Sequence, residues 1–157
     1  MTIVAKTFPV PMLALGAAAH FVARHEPFAG FLAAELVRTL SGQVHRGHYL
    51  FALDVSSKPA RVVGYFGWAL YADVDAERFA ATGSPPAEVR SVDGNVVWML
   101  TTVADSRAAF FALVKATRSL YPAHRVMGIR HKARRGKVTM DQSRARVRAR
   151  TAGASGA

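Results

Sequence analysis

The six histidines are the first candidates for catalytic side chains in this 157-residue chain, which has no cysteine. A histidine side chain has a pKa of about 6.5 in general, so its imidazole exchanges protons at neutral pH and suits general base catalysis. His25 stands in "ARHEPF", between two predicted helices, where an imidazole can be both exposed and oriented. The pattern therefore indicates His25 as a candidate general base.

The spacing of the histidines does not predict a metal site. His20 and His25 are five residues apart, which separates them by about 140° on a continuous helix. His45 and His48 share a turn, but no carboxylate stands near them in sequence. The chain also lacks a P-loop and a dinucleotide-binding fingerprint. We therefore expect no metal ion and no bound cofactor.

A third chemical feature is the stretch "NVVWMLTTVADS" at residues 95–106. Its two faces are apolar up to Thr101, which predicts a strand covered on both sides. Strand ends beside turns are where folds place working groups, so Thr101 is a candidate as well. The turn that follows has no glycine, whereas binding of the coenzyme A pyrophosphate requires a glycine-rich turn there.

The periodicity of the chain predicts the elements that must position these residues. We expect helices over 12–24, 27–40, 73–81 and 105–121, and strands over 48–55, 61–71, 95–104, 124–132 and 136–140. Asp73 is the expected cap of the third helix, Asp105 or Ser106 that of the fourth, and Ser41-Gly42 the end of the second. This order predicts an α/β fold with a mixed sheet and helices on its faces.

The net charge of +11 is concentrated near the C-terminus, where nine Lys and Arg between Arg130 and Arg150 face one acid, Asp141. We expect a folded domain over 1–140 and a disordered basic tail over 141–157. Such tails bind acidic proteins or nucleic acid non-specifically. No aromatic RNA-binding signature accompanies the arginines, and no apolar run is long enough for a membrane span.

Four segments, spread over about residues 12–138, resemble the lysine acyltransferases that activate RTX toxins. They are "RHEPF" with "GHYLFALD", "PARVVGYFGWALYADVDAERF", "GNVVWMLTTVADSRAAFFALVK" and "LYPAHRVMGIRHKARRGKV". The resemblance implies a GNAT-like fold, with a mixed, mostly antiparallel sheet and helices on both faces. It also implies a cytoplasmic enzyme that moves a fatty acyl group from acyl carrier protein to lysines of an RTX-type protoxin. A homodimer is compatible with it.

The resemblance also suggests site residues. His25 matches the family's catalytic histidine, with His20 as the fallback, and Trp68 matches its Trp-Ala step, which implies a role in substrate binding. The family's catalytic aspartate falls on Thr101 when the segments are aligned on Trp98. Either Asp105 or Asp93 would then supply a shifted carboxylate, or the enzyme would be slower or inactive.

The basic stretch at 125–137 is the expected docking face for an acidic acyl carrier protein, which would donate the acyl group. The cations that it offers for docking are Arg125, Arg130, Lys132, Arg134 and Arg135. An alternative function is that of a non-catalytic relative, a basic module that binds an acidic protein or nucleic acid. That alternative follows if catalysis was lost together with the aspartate.

Overall fold

The structure is a computed structural model and describes residues 2–87, 91–132 and 136–141. These residues form six strands, four helices and one short 3₁₀ turn, Phe28–Gly30. The strands are β1 (Ile3–Lys6), β2 (Tyr49–Asp54), β3 (Arg61–Tyr71), β4 (Val96–Ala104), β5 (Arg125–Lys132) and β6 (Gly136–Asp141). The helices are α1 (Pro11–Val22), α2 (Ala33–His45), α3 (Asp73–Thr82) and α4 (Arg107–Leu120).

The six strands follow one another in the sheet in chain order. Strand β2 pairs antiparallel with β1 and with β3, and β5 pairs antiparallel with β6. Strands β4 and β5 are parallel, since α4 carries the chain back between them. This mixed, mostly antiparallel α/β architecture confirms the predicted fold class.

The chain divides into two compact units, and β3 and β4 each contribute to both. The first unit consists of Met1–Ala69 and Leu100–Pro122; the second consists of Leu70–Met99 and the chain from Ala123 onward.

Helices α1 and α2 build the core of the first unit together with one face of β2. Their buried positions recur every three or four residues, which is the spacing of one helix face. Those positions are Ala14, Ala18, Phe21 and Val22 in α1, and Leu36, Leu40, Gln43 and Val44 in α2. They cluster with alternate residues of β2, namely Tyr49, Phe51 and Leu53.

Helix α4 covers the other face of the same strands. A Cβ atom added at Gly64 would lie 3.0 Å from Leu113 Cδ1 of α4 and 3.1 Å from Ala52 Cβ of β2. Leu113 is buried, as are Ala109 and Thr117 on the same side of the helix. Within this unit, helices therefore pack on both faces of the sheet.

The second unit is built around Trp98 of β4. Its ring stacks on Phe79 of α3 at 4.5 Å between ring centroids and is tilted against Tyr71 at 6.2 Å. Val96–Met99 pair with Arg125–Gly128 of β5. This aromatic cluster anchors α3 to the sheet of that unit.

Three sequence predictions require correction. The second helix was predicted over 27–40, but α2 begins at Ala33 and continues through Ser41-Gly42 to His45. Burial of Gln43 and Val44 outweighs the low helix propensity of serine and glycine there. Asp73 does not cap α3, whose N-cap is Ala72 without a side-chain hydrogen bond. Strand β1 was not predicted, because its four residues are too few for a clear pattern.

Candidate active site

The structure joins His25 to Asp105, which are 80 residues apart in sequence. The imidazole Nε2 lies 2.9 Å from Asp105 Oδ1. The other ring nitrogen, Nδ1, lies 2.9 Å from the carbonyl oxygen of Phe21. Both side chains are partly accessible, with 25% of His25 and 38% of Asp105 exposed. The pair is therefore held firmly and can still be reached by a substrate.

His25 is positioned by the end of α1. Its backbone N–H donates to Val22 O, and its carbonyl accepts from Ala29 N, so the residue is fixed between α1 and the 3₁₀ turn. Its ring packs on Phe21 at 4.7 Å between centroids. Because Phe21 is buried in the core of the unit, the imidazole rests on a rigid support.

Asp105 is positioned by the turn from β4 into α4. Its backbone N–H donates to Val63 O of β3 at 2.9 Å. Ser106, and not Asp105, caps the helix: the Ser106 hydroxyl accepts from Ala109 N at 3.1 Å. The Asp105 carboxylate is thus not needed to cap α4 and is available to His25.

The hydrogen bonds of His25 indicate what the pair can do chemically. A carbonyl oxygen and an ionised carboxylate are both acceptors only, so both bonds form together when each ring nitrogen carries a proton. When only one ring nitrogen carries a proton, only one of the two contacts is a hydrogen bond. Loss of the Nε2 proton leaves Phe21 O holding Nδ1–H, so that Nε2 becomes the basic atom.

Thr101 lies in a buried polar group of the first unit. It is fully buried, and its hydroxyl accepts a hydrogen bond from Gln43 Nε2 at 3.0 Å. The Tyr65 hydroxyl donates to Gln43 Oε1, also at 3.0 Å. Burial raises the pKa of Tyr65, with a smaller contribution from Tyr49, so its phenol stays protonated as this donor. No hydrogen bond joins Thr101 to His25 in the described part of the chain.

Trp68 is buried on β3, and its indole N–H donates to the Tyr121 hydroxyl at 3.3 Å. The ring of His48 stacks parallel to it, with centroids 6.0 Å apart. Burial lowers the pKa of His48, and the neighbouring Arg46 guanidinium lowers it further. Trp68 is thus a packed residue of this cluster; its role in substrate binding stays a prediction.

The structure describes the predicted docking cations to different extents. Arg125 of β5 is ion-paired with Asp73 at 2.6 Å and with Glu77 at 2.9 Å, so its charge is already balanced within the second unit. The structure describes Arg130 and Lys132 through their backbone in β5. Arg134, Arg135 and the predicted tail from 142 onward lie outside the described residues.

His20 and Asp93, the alternative histidine and carboxylate suggested by the sequence, are not part of the His25–Asp105 pair. His20 is exposed on α1, and Asp93 is exposed before β4 in the second unit. Among the described residues, no three His, Asp or Glu side chains are grouped as metal ligands. No helix in that part of the chain has the length and hydrophobicity needed to cross a membrane.

No protein-family model matches the chain, and no curated protein matches it. Among solved structures, it is similar to one described as a probable acetyltransferase, with a TM-score of 0.51 and 14% sequence identity. The similarity covers 86% of this chain and 82% of the other. A likeness at this identity concerns the fold alone, and it confirms that the chain has an acetyltransferase-like fold.

Proposed function

We propose that this protein is an acyltransferase in which His25 and Asp105 form the catalytic pair. The observation that carries the proposal is the 2.9 Å contact between Nε2 and the carboxylate, with Nδ1 fixed by a backbone carbonyl. The acetyltransferase-like fold and the name of the similar structure support acyl transfer as the reaction class. Asp105 takes the place of the family carboxylate that the sequence aligns with Thr101.

The proposed step uses His25 as a general base. The one lone pair of Nε2 faces Asp105, so the carboxylate turns aside while a lysine ε-amine attacks the carbonyl carbon of an acyl thioester and gives Nε2 a proton. The imidazolium that forms is stabilised by Asp105 at Nε2 and by Phe21 O at Nδ1. The carbon–sulfur bond then breaks, and the thiolate leaves and takes the proton back from Nε2. The products are an amide and a thiol, and His25 is restored.

A thioester carried on a protein suits this site better than free coenzyme A. The turn between β4 and α4 contains Asp105 and Ser106 instead of glycines. The Ser106 side chain already occupies the N–H of Ala109, so this backbone amide is not free to bind a diphosphate. We therefore propose acyl carrier protein as the donor, which implies a cytoplasmic reaction.

The acceptor that we propose is a lysine of an RTX-type protoxin, and the acyl group is a fatty one. Both follow from the resemblance of the four sequence segments. The His25–Asp105 pair supports an active enzyme over a non-catalytic binding module, because a module that only binds has no need of a fixed imidazole and carboxylate.

The test is reconstitution of the purified protein with acyl-loaded carrier protein and an RTX-type protoxin, followed by intact mass and lysine mapping. We expect the mass of one acyl chain per modified lysine with wild type and none with His25→Ala. His20→Ala is the matched control, since this exposed histidine lies on α1, outside the His25–Asp105 pair, and should be dispensable. Equal acylation by wild type and His25→Ala would contradict the proposal.

A further inference from the structure

Two arginines are close in sequence to the catalytic pair, one to each member. Arg24 immediately precedes His25, and Arg107 begins α4 two residues after Asp105. Both are exposed. Neither forms an ion pair with a carboxylate in the part of the chain that the structure describes. Glu26, the acid next to His25 in sequence, is exposed, and its carboxylate forms no ion pair with either arginine.

Each of these guanidinium groups lies over a phenyl ring. The Cζ atom of Arg24 is 5.6 Å from the ring centroid of Phe21, and that of Arg107 is 5.2 Å from the centroid of Phe111. A cation over an aromatic face is attracted by the ring, which restricts the long side chain without neutralising its charge. Phe21 also supports the ring and the Nδ1 atom of His25. The position of Arg24 is thus coupled to that of the base.

We propose that Arg24 and Arg107 form the docking pair for the acidic donor protein that carries the thioester. This inference rests on the donor assigned under the proposed function, and it locates the docking site beside the catalytic pair instead of on 125–137. Exposed, unpaired and oriented cations are what carboxylates on a partner surface can bind. Arg125, by contrast, is already paired twice.

The charges favour the donor over the acceptor as the occupant. The acceptor presents a lysine, whose ammonium group is repelled by two neighbouring guanidinium groups. The donor is an acidic carrier protein, whose carboxylates are attracted by the same two groups. Arg24 is next to His25 in the chain and Arg107 is two residues from Asp105, so contacts at both would bring the thioester to the pair.

The test measures binding of a fluorescently labelled, acyl-loaded carrier protein by anisotropy, independently of catalysis. Arg24→Gln and Arg107→Gln keep the length of the side chain and remove its charge. We expect Kd to rise about threefold for each variant and about tenfold for the double variant at low salt. The differences should shrink at about 1 M salt, where the Debye length is about 3 Å.

Lys115→Gln is the matched control, because Lys115 is an exposed cation of the same helix about 12 Å along the axis from Arg107. Its Kd should equal that of wild type. An unchanged Kd in the double variant, or an equal rise in Lys115→Gln, would overturn the docking pair. So would a rise in KM for the acceptor with an unchanged Kd for the carrier, which would assign the arginines to the acceptor.

These outcomes are separate from a failure of the proposed function. If wild type binds the carrier protein through Arg24 and Arg107 but transfers no acyl group, the docking pair is supported and the proposed reaction is refuted. If the double variant transfers the acyl group as efficiently as wild type, the proposed reaction is supported and the docking pair is refuted.

Discussion

Gly67→Ala should destabilise the fold strongly, because Gly67 leaves room for the buried amide of Gln43. A Cβ atom at position 67 would lie 1.7 Å from Gln43 Oε1 and 2.5 Å from its Cδ. Gln43 is fully buried and cannot turn into solvent. Its amide must move, which breaks the hydrogen bond from Tyr65 and the one to Thr101. Each buried polar group left without a partner costs about 1–3 kcal/mol, so we expect a loss of about 3–5 kcal/mol.

The assay is urea unfolding followed by circular dichroism, with the free energy of unfolding compared with wild type. Gly16→Ala is the matched control: no atom lies within 4 Å of its added Cβ, and alanine in a helix stabilises by about 0.5–1 kcal/mol. The double variant Gly67→Ala/Gln43→Ala should lose less than the sum of the single losses, because the overlap is gone. A loss below about 0.5 kcal/mol for Gly67→Ala would refute this reasoning.

Two further predictions concern His48 and Ser106. The pKa of His48 is lowered in the folded state, so the unfolded state binds more protons below a pH of about 6.5. The free energy of unfolding therefore falls as the pH drops from about 6.5 through the pKa that His48 has in the folded state. His48→Phe keeps the stacking on Trp68 and should lose less stability than wild type between pH 7 and 5 in urea unfolding; an equal loss would show that His48 is not responsible. Ser106→Ala removes the cap of α4 and should cost about 1 kcal/mol, whereas Ser119→Ala near its end should cost little; equal losses would contradict the capping role.

Local patterns predicted most of the elements because each of those elements has a clear period or clear ends. Arg61–Tyr71 has the length of a strand and follows a turn containing proline, so β3 was predicted with its observed bounds. The end of α2 could not be predicted in the same way. Ser41 and Gly42 locally favour a stop, and only the tertiary burial of Gln43 and Val44 extends the helix past them. Strand β1 is defined by its partner β2.

The candidate site shows the same division between local and tertiary information. The junction after α1 was enough to select His25. Asp105 was only one of two alternatives to Thr101, because the sequence does not decide whether Asp105 or Ser106 caps α4. Its contact with His25 also depends on an arrangement of α1 and β4 that no local pattern encodes. The deep burial of Thr101 against Gln43 likewise depends on the packing of α2.

The docking arginines at 125–137 were predicted from the density of positive charge in the sequence. That density does not show which arginines form ion pairs in the fold. Arg125 belongs to a basic stretch of the sequence, yet in the fold it lies against Asp73 and Glu77. Arg24 and Arg107 are isolated in the sequence and remain unpaired on the described surface. The signal that could have identified them is their adjacency to His25 and Asp105.

The most direct test of the account is a double-mutant cycle on kcat/KM for acyl-loaded carrier protein, with wild type, His25→Ala, Asp105→Asn and the double variant. Asparagine keeps the shape of the side chain and removes the charge that stabilises the imidazolium. If the two residues act as one unit, Asp105→Asn should lower the rate by about 10²–10⁴-fold, and the double variant should be no slower than His25→Ala. A wild-type rate in a folded Asp105→Asn protein, or two losses that multiply in the double variant, would contradict the claim that His25 and Asp105 carry the reaction together.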